Sequence, residues 1–329
     1  MNPDYTIIRL LADGRFHSGE GLAARLGISR ASVWKRLRQV EQQLGLDIHA
    51  VRGRGYRLAQ PLELLDEALL RAGLERSVLE RIDRIDLHDH LDSTNSYLMG
   101  LAPEQQHPVQ VCLAELQTAG RGRRGRAWVS PYGCNIYLSI GWLYPMGPGH
   151  LSGLSLLAGI AVVRALESLG IEGAGLKWPN DILWEGRKLA GLLLEVSGEH
   201  AGPSRVVLGL GFNLRLSQEA ARAIDQPWID LASIPGSAGI GRNRLAAQLL
   251  NQLIAMLGRF EGEGLAPWVE EWTRLDLYYG QPVILQMGQR RVAGVHQGID
   301  HSGALLLESQ GALQTFHGGE ISLRPGGAG

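Results

Sequence analysis

The chain has 329 residues, 45% of them hydrophobic, and a formal net charge of -1, which suits two or three globular domains with real cores. A short, charge-interrupted N-terminus (Ile7-Ile8-Arg9-Leu10-Leu11) excludes a signal peptide. Two cysteines, Cys112 and Cys134, with no metal-ligand company, read as reduced thiols of a cytoplasmic protein. The longest stretch without Asp, Glu, Lys or Arg, residues 127–163, is divided by Pro131, Gly133, Pro145, Gly147, Pro148 and Gly149, so no membrane span is expected; its best piece, 151–163, has the length of a buried core helix.

Charge is unevenly placed. Residues 1–60 hold ten Lys/Arg against five Asp/Glu, a balance of +5, and the remainder holds 22 against 28, a balance of -6. A basic head on an acidic body is the footprint of a nucleic-acid-binding module attached to something else. Within the head, a short apolar helix over 6–12 precedes a second helix entered at Ser18-Gly19-Glu20, with Leu22, Ala23 and Leu26 on one face. Gly27 ends it. Ser29 caps a third helix over 30–44, in which Val33, Leu37, Val40 and Leu44 share the buried face. Ala23, Gly27 and Val33 have helix-turn-helix spacing, leaving Arg30, Ser32, Lys35 and Arg36 outward for DNA. Residues 47–58 then read as strand, turn and strand with Arg52 and Arg54 at the tip, a wing. A three-helix scaffold with no DNA partner is the plainer alternative; basic charge on both helix face and wing argues against it. Ala59-Gln60-Pro61 is the boundary.

Beyond it, a helix over 64–74 and a strand over 82–90 lead to Asp92-Ser93-Thr94-Asn95-Ser96. Polar residues at a strand-to-helix junction cap the helix, present hydroxyls to a ligand, or do both. A strand over 111–116 leads through Gln117 to Gly120-Arg121-Gly122-Arg123-Arg124-Gly125-Arg126-Ala127-Trp128, with four guanidinium groups and three glycines in seven residues, and no Asp or Glu between Glu115 and Glu167. Glycines let backbone N–H groups approach an oxyanion, and Arg supplies fixed charged forks, so this loop is an anion cradle. Trp128 either stacks on a purine or fills core. The match to G-x-G-x-x-G also raises a nicotinamide-dinucleotide site. That fingerprint needs a helix opening at the third glycine and an acid about 20 residues on, and here residues 127–133 break any helix and the acid is absent. A solvated basic turn is the remaining alternative.

Residues 175–181 start a hairpin turning at Glu185-Gly186-Arg187, and Lys188 opens the apolar return strand 189–194; beside so much apolar sequence its ammonium needs a partner, Asp181 or a phosphate. A strand over 206–211, helices over 245–260 and 266–275, and short glycine-punctuated strands within 281–322 complete the chain, the last as a small β-barrel.

Gly120 to Trp128, Lys177-Trp178-Pro179-Asn180-Asp181, Arg187-Lys188-Leu189-Ala190-Gly191 and Gly318-Gly319-Glu320-Ile321-Ser322, behind a winged helix-turn-helix, resemble the bifunctional biotin-protein ligases that are also biotin-operon repressors. The resemblance runs in order over almost the whole chain. It implies an α/β multidomain protein: a winged helix-turn-helix over 1–60, a central α+β mixed-sheet ligase domain related to class II tRNA synthetases over 61–273, and a small β-barrel over 274–329. It implies ATP and Mg²⁺ as cofactors, the ion held mainly through ATP, and biotin as a substrate whose carboxylate is joined to AMP and then passed to a lysine of a biotin carboxyl carrier protein. Such chemistry needs fixed cations, and no Ser-His-Asp or Cys-His pairing. Carried over residue by residue, Ser93, Thr94, Asn95 and Gln117 meet the biotin head; Arg121, Gly122 and Arg123 close over its tail and the phosphate; Lys188 is the catalytic cation, with Arg123. Trp128 and Asn213 face adenine, and Arg126 and Asp181 support phosphate or metal. Ser29, Arg30, Ser32, Lys35, Arg36, Arg52 and Arg54 face operator DNA, bound as a homodimer loaded with biotinyl-AMP. A lipoate-protein ligase-like enzyme and a dinucleotide-sensing repressor are the rival readings.

Overall fold

A computed structural model of the chain describes residues 5–200, 202–318 and 321–326; Gly319 and Glu320 of the last motif lie outside the described residues. At the N-terminus, α1 (Tyr5–Leu11), α2 (Gly19–Leu26) and α3 (Arg30–Leu44) are followed by the antiparallel pair β1 (Ile48–Val51) and β2 (Gly55–Leu58), in register from Ile48↔Leu58 to Val51↔Gly55. The capping residues explain the breaks. Ser18 and Ser29 accept from Gly21 N and Ser32 N to start α2 and α3, and Gly27, at φ 64°, takes the left-handed conformation that ends α2. Ile7, Ile8, Leu11, Leu22, Val33, Leu37, Val40 and Leu58 form the core.

The linker is bolted to the central domain. Leu62 and Leu64 pack on the N-terminal core, while Glu63 accepts from Arg242 N at 2.8 Å and Asn243 N at 3.0 Å. The expected helix over 64–74 begins only at α4 (Glu67–Gly73), because Asp66 is its N-cap. A short α5 (Arg76–Leu79), β3 (Arg84–His88), α6 (Thr94–Met99), β4 (Val109–Ala114), β5 (Ile136–Tyr144) and α7 (Leu154–Ser168) follow. Next come β6 (Ala174–Lys177), β7 (Asp181–Trp184), β8 (Arg187–Gly198), β9 (Ser204–Phe212), a short α8 (Gln218–Ala221), α9 (Arg242–Glu263) and α10 (Val269–Leu275). One seven-stranded sheet results, in the order β3-β4-β5-β9-β8-β7-β6. Only β3 and β4 run parallel; the other pairs are antiparallel.

Helices α7 and α9 pack against each other and cover one face of this sheet, and α6 lies against β4, β5 and β9. The stretch Pro148–Ser168 passes a length-and-hydropathy test for a membrane span, but 67% of its apolar window is buried inside the protein, as in a core helix. The last unit contains β10 (Pro282–Met287), β11 (Arg290–Ile299), β12 (Leu305–Ser309), β13 (Ala312–Phe316) and β14 (Ile321–Pro325), five antiparallel strands ordered β13-β12-β11-β10-β14. Trp178 Nε1 donates to Gly303 O at 3.1 Å and Leu277 N to Leu176 O at 3.0 Å, joining this sheet to the hairpin that carries Lys188.

Candidate active site

A cavity of about 630 Å³ opens where β8, β9, the N-terminus of α6 and the 120–128 loop meet. Ser93, Thr94, Asn95, Gln117, Arg121, Gly122, Arg123, Arg126, Trp128, Asp181, Lys188 and Asn213 all line it. Residues up to 120 positions apart are thus brought to one space by strand order.

One end is built mostly from uncharged hydrogen-bonding groups, with the Arg121–Glu195 ion pair beside them. Ser93 caps α6 through Ser96 N. Thr94 donates to Gln117 Oε1 through its backbone N (2.9 Å) and its hydroxyl (3.2 Å), and Gln117 Nε2 donates to Ser130 Oγ at 3.1 Å. The Ser139 hydroxyl lies 2.7 Å from Thr94 Oγ1 and 2.6 Å from Asn95 Oδ1. Asn95 Nδ2 donates to Glu195 Oε2 at 2.8 Å, and the same oxygen accepts Arg121 Nη2 at 3.2 Å. Ser130, Ser139 and Glu195 were not in the sequence reading. They are single polar residues far along the chain from their partners, and only strand register brings them in.

The other end is cationic. Lys188 Nζ sits 2.7 Å from Asp181 Oδ1 and 5.4 Å from the Trp128 ring centroid. Arg123 Nη1 donates to Asn180 Oδ1 at 3.2 Å. Burial lowers the Arg123 pKa, opposed by Asp181. Lys177, whose side chain stands 5.8 Å from the Tyr278 ring, also has a lowered pKa: burial is the main cause, Asp181 opposes it, and Lys188, Arg324 and Arg126 add to it. Lys177, Asp181, Lys188, Arg126 and Arg324 thus line one space. Arg324 reaches the cavity because β14 pairs with β10 on the edge of the small sheet.

The 120–128 loop folds back on itself. Trp128 N donates to Gly120 O at 2.8 Å and Gly122 N to Arg126 O at 2.7 Å, across a turn whose Arg124 and Gly125 have φ of 60° and 70°. No helix follows Gly125, which removes the geometry a dinucleotide fingerprint requires. A side chain at Gly120 would meet Ser130 Oγ and Trp128 O, each at 2.7 Å. Trp128 is half-buried against Gly191 and Gly211, and its indole nitrogen has no hydrogen-bond partner among the described residues. Asn213 is buried, and its Nδ2 donates to the carbonyls of Lys188 (3.3 Å) and Ile229 (3.2 Å), so this amide orients the Lys188 strand. Residues 223–228 form a further wall that the sequence reading missed, tied down by Lys188 N donating to Pro227 O at 2.9 Å.

On the N-terminal unit, Ser29, Arg30, Lys35, Arg52 and Arg54 are exposed, Arg30 beside Glu20 at 3.3 Å and Arg54 stacked 4.2 Å over Phe16. Ser32 and Arg36 depart from the expected outward placement. Both are half-buried because positions 32 and 36 flank the Val33-Leu37-Val40 face, and the Ser32 hydroxyl is held 2.9 Å from that of Ser29. The outward stripe is instead Ala31, Trp34, Lys35 and Arg38.

Three family descriptions match in sequence: an HTH domain over residues 5–57, the Biotin/lipoate A/B protein ligase family over 87–213, and the Biotin protein ligase C terminal domain over 278–324. The bifunctional ligase/repressor BirA of Salmonella typhimurium is 43% identical over 321 residues, 97% of both chains, and that of Escherichia coli is 41% identical over 320 residues, 97% of this chain and 96% of the relative. Biotin protein ligase from Aquifex aeolicus, solved in complex with biotin and ATP, superposes with a TM-score of 0.61 at 26% identity, covering 74% of this chain and 99% of its own. Identity at that level over nearly the full length, with the reader, the cavity and the small sheet in the same order, places this chain in the family of bifunctional biotin-protein ligase/repressors.

Proposed function

We propose that the chain is a cytoplasmic ATP-dependent ligase that forms biotinyl-AMP, transfers biotin to a lysine of a biotin carboxyl carrier protein, and represses biotin-biosynthesis genes with biotinyl-AMP as corepressor. The observation that carries this reading is the polarity of this cavity, mostly uncharged hydrogen-bonding groups at one end and Lys188, Lys177, Arg123, Arg126 and Arg324 at the other. A ureido head and an apolar tail suit the first end. A carboxylate attacking an α-phosphate suits the second, where fixed cations offset the charge that develops.

In the first step the biotin carboxylate displaces pyrophosphate. Lys188, held by Asp181 and oriented by Asn213, places an ammonium at the developing negative charge; Arg123, with Arg121, closes over the tail and the phosphate. Trp128, braced on Gly211, presents a flat face to adenine. In the second step the carrier's lysine attacks the acyl carbon and AMP leaves. Among the described residues no group of three or more His, Cys, Asp or Glu forms a metal cluster. Mg²⁺ would be held chiefly by the ATP phosphates, and Asp181, which lines the cavity, is the carboxylate that would complete its shell. When bound, the ion neutralises phosphate charge.

The division into 1–60, 61–273 and 274–329 assigns the reader, the ligase and the small sheet. One recognition helix covers one half-site, so repression uses two chains on a two-fold operator. Strand β8 supports such pairing. Past Leu192 its outer edge has no strand partner among the described residues, because β7 pairs only as far as Gly191. Incubation with labelled ATP and biotin should yield biotinyl-AMP, and lipoate in place of biotin should not support adenylation. Footprinting and sedimentation should show tighter operator binding and dimerisation with biotin plus ATP; unchanged operator affinity would leave a ligase with an idle reader.

A further inference from the structure

The outward stripe of α3 contains an unexpected side chain. Trp34 is 54% exposed, in the Ala31-Trp34-Lys35-Arg38 row, about 100° round the helix from Val33 on the side away from Ser32 and Arg36. Of the large apolar side chains in residues 5–58, only Trp34 and Val51 are exposed, one on the recognition helix and the other on the wing. The indole is not loose. Arg38 lies over it at 5.7 Å from the ring centroid, and Arg38 is itself tied to Glu41 at 3.1 Å. One face of the ring is therefore covered by a neighbouring guanidinium, and an exposed apolar surface is held within a row of cations.

That combination is poorly suited to phosphates, which Lys35 and Arg38 serve without help from an indole. It is suited to a base edge. In the major groove the apolar feature that distinguishes one base pair from another is the thymine 5-methyl group. A large flat ring covers such a methyl well, at low entropy cost because it has only two rotatable bonds.

We infer that Trp34 is a sequence-reading residue of the operator interface, packing its indole on a thymine 5-methyl group so that each half-site carries thymine at one fixed position. The inference rests on α3 being the DNA reader, and the test separates the two. Full-length protein supplied with biotin and ATP is used to select from randomised duplexes, alongside W34A and K35A. Wild type should enrich a two-fold motif, and W34A should keep that motif but lose the preference for thymine at one position in each half. Replacing that thymine by uracil, which removes only the methyl, should weaken wild type about fourfold, the value of one buried methyl-sized group, and leave W34A unchanged. W34A should also keep the wild-type slope of affinity against salt, whereas K35A, which removes one cation from each of the two chains, should flatten it by about two. An unchanged thermal melt of W34A, together with its retained two-fold motif, confirms that the reader is folded. An identical motif from wild type and W34A, or equal wild-type affinity for thymine and uracil duplexes, overturns the assignment of Trp34 alone. If wild type enriches no sequence at all, α3 is not an operator reader and the assignment falls with it.

Discussion

Two glycines on β9, two residues apart and on one face, provide a test of how the cavity is divided. A Cβ built at Gly211 meets Trp128, 2.5 Å from Nε1 and 2.7 Å from Cζ2, whereas a Cβ at Gly209 meets Asn95, 2.9 Å from Cγ and 3.1 Å from Nδ2. Real Cβ atoms essentially never approach a heavy atom within 3.0 Å and ordinarily stay beyond 3.4 Å, so in Gly211→Ala the indole must shift by at least half an ångström, and in Gly209→Ala the carboxamide must move away from Glu195 and Ser139. Overpacking of this kind costs roughly 1–3 kcal/mol, which corresponds to about 5- to 150-fold in affinity if it falls on the ligand that the displaced group contacts. Gly211→Ala should therefore weaken ATP and biotinyl-AMP while leaving biotin alone within about twofold. Gly209→Ala should weaken biotin, and biotinyl-AMP through its biotin head, while leaving the ATP analogue within about twofold. Calorimetric titration of biotin, then of a non-hydrolysable ATP analogue with biotin present, reads both, and thermal melting checks the fold. Equal losses for both ligands in either variant would refute the assignment of Trp128 to the nucleotide end and Asn95 to the biotin end.

Lys188→Ala should slow adenylate formation by roughly 10² to 10³ in single-turnover experiments while a direct titration shows biotin binding little changed; an unaltered rate removes this ammonium from the mechanism. Arg242→Ala leaves Glu115 as an uncompensated charge, since the pair is 2.6 Å apart with both side chains almost fully buried, and should lower stability by about 3–5 kcal/mol in urea unfolding. An unchanged urea midpoint would mean that water enters to serve Glu115. The 120–126 loop, closed here by only a few of its own hydrogen bonds, should gain amide-exchange protection when biotin and ATP are added, and equal protection in both states would exclude ordering of this loop as the means of retaining the adenylate.

The reader and the strands were legible in the sequence because their signals are local. Ser29 before an apolar 3-and-4 spacing, Gly27 in a turn and Glu185-Gly186 between alternating residues each act within a few positions, and the structure puts α3, α2 and the β7–β8 turn there. The cationic end was legible because its residues are clustered in short motifs. Glu195 and Ser139 were not, since a single polar residue in a strand acquires meaning only from the register that sets β5 and β8 beside α6. Arg324 depends in the same way on β14 pairing with β10, and the 223–228 wall has no periodicity to read. Ser32 and Arg36 are half-buried rather than fully outward, because about 100° per residue places them beside, and not opposite, the Val33-Leu37-Val40 face.

The contact between the two halves lies where it can connect ligand to DNA. Arg9 Nη2 on α1 meets Asp89 Oδ1 at 2.8 Å, Tyr132 donates its hydroxyl to the same oxygen at 3.3 Å, and Tyr5 stacks on His90 and Tyr132 with centroids 5.2 and 5.6 Å away. Those central-domain residues belong to two segments that also build the uncharged end of the cavity. Asp89 and His90 lead into Ser93, Thr94 and Asn95, and Tyr132 stands two residues beyond Ser130, the partner of Gln117. The segments are tied to each other by Leu91 N to Leu116 O at 3.1 Å and Thr118 N to Leu91 O at 2.9 Å. These segments thus give a contiguous route by which a ligand on the cavity side and the reader on the α1 side would bias one another. Such coupling is reciprocal by thermodynamic necessity. On the proposed reading, if loading with biotinyl-AMP tightens operator binding, operator binding should slow the loss of biotinyl-AMP by the same factor, and a carrier protein that removes the acyl group should weaken DNA binding without touching the reader; a biotinyl-AMP off-rate unchanged by operator DNA would refute the coupling.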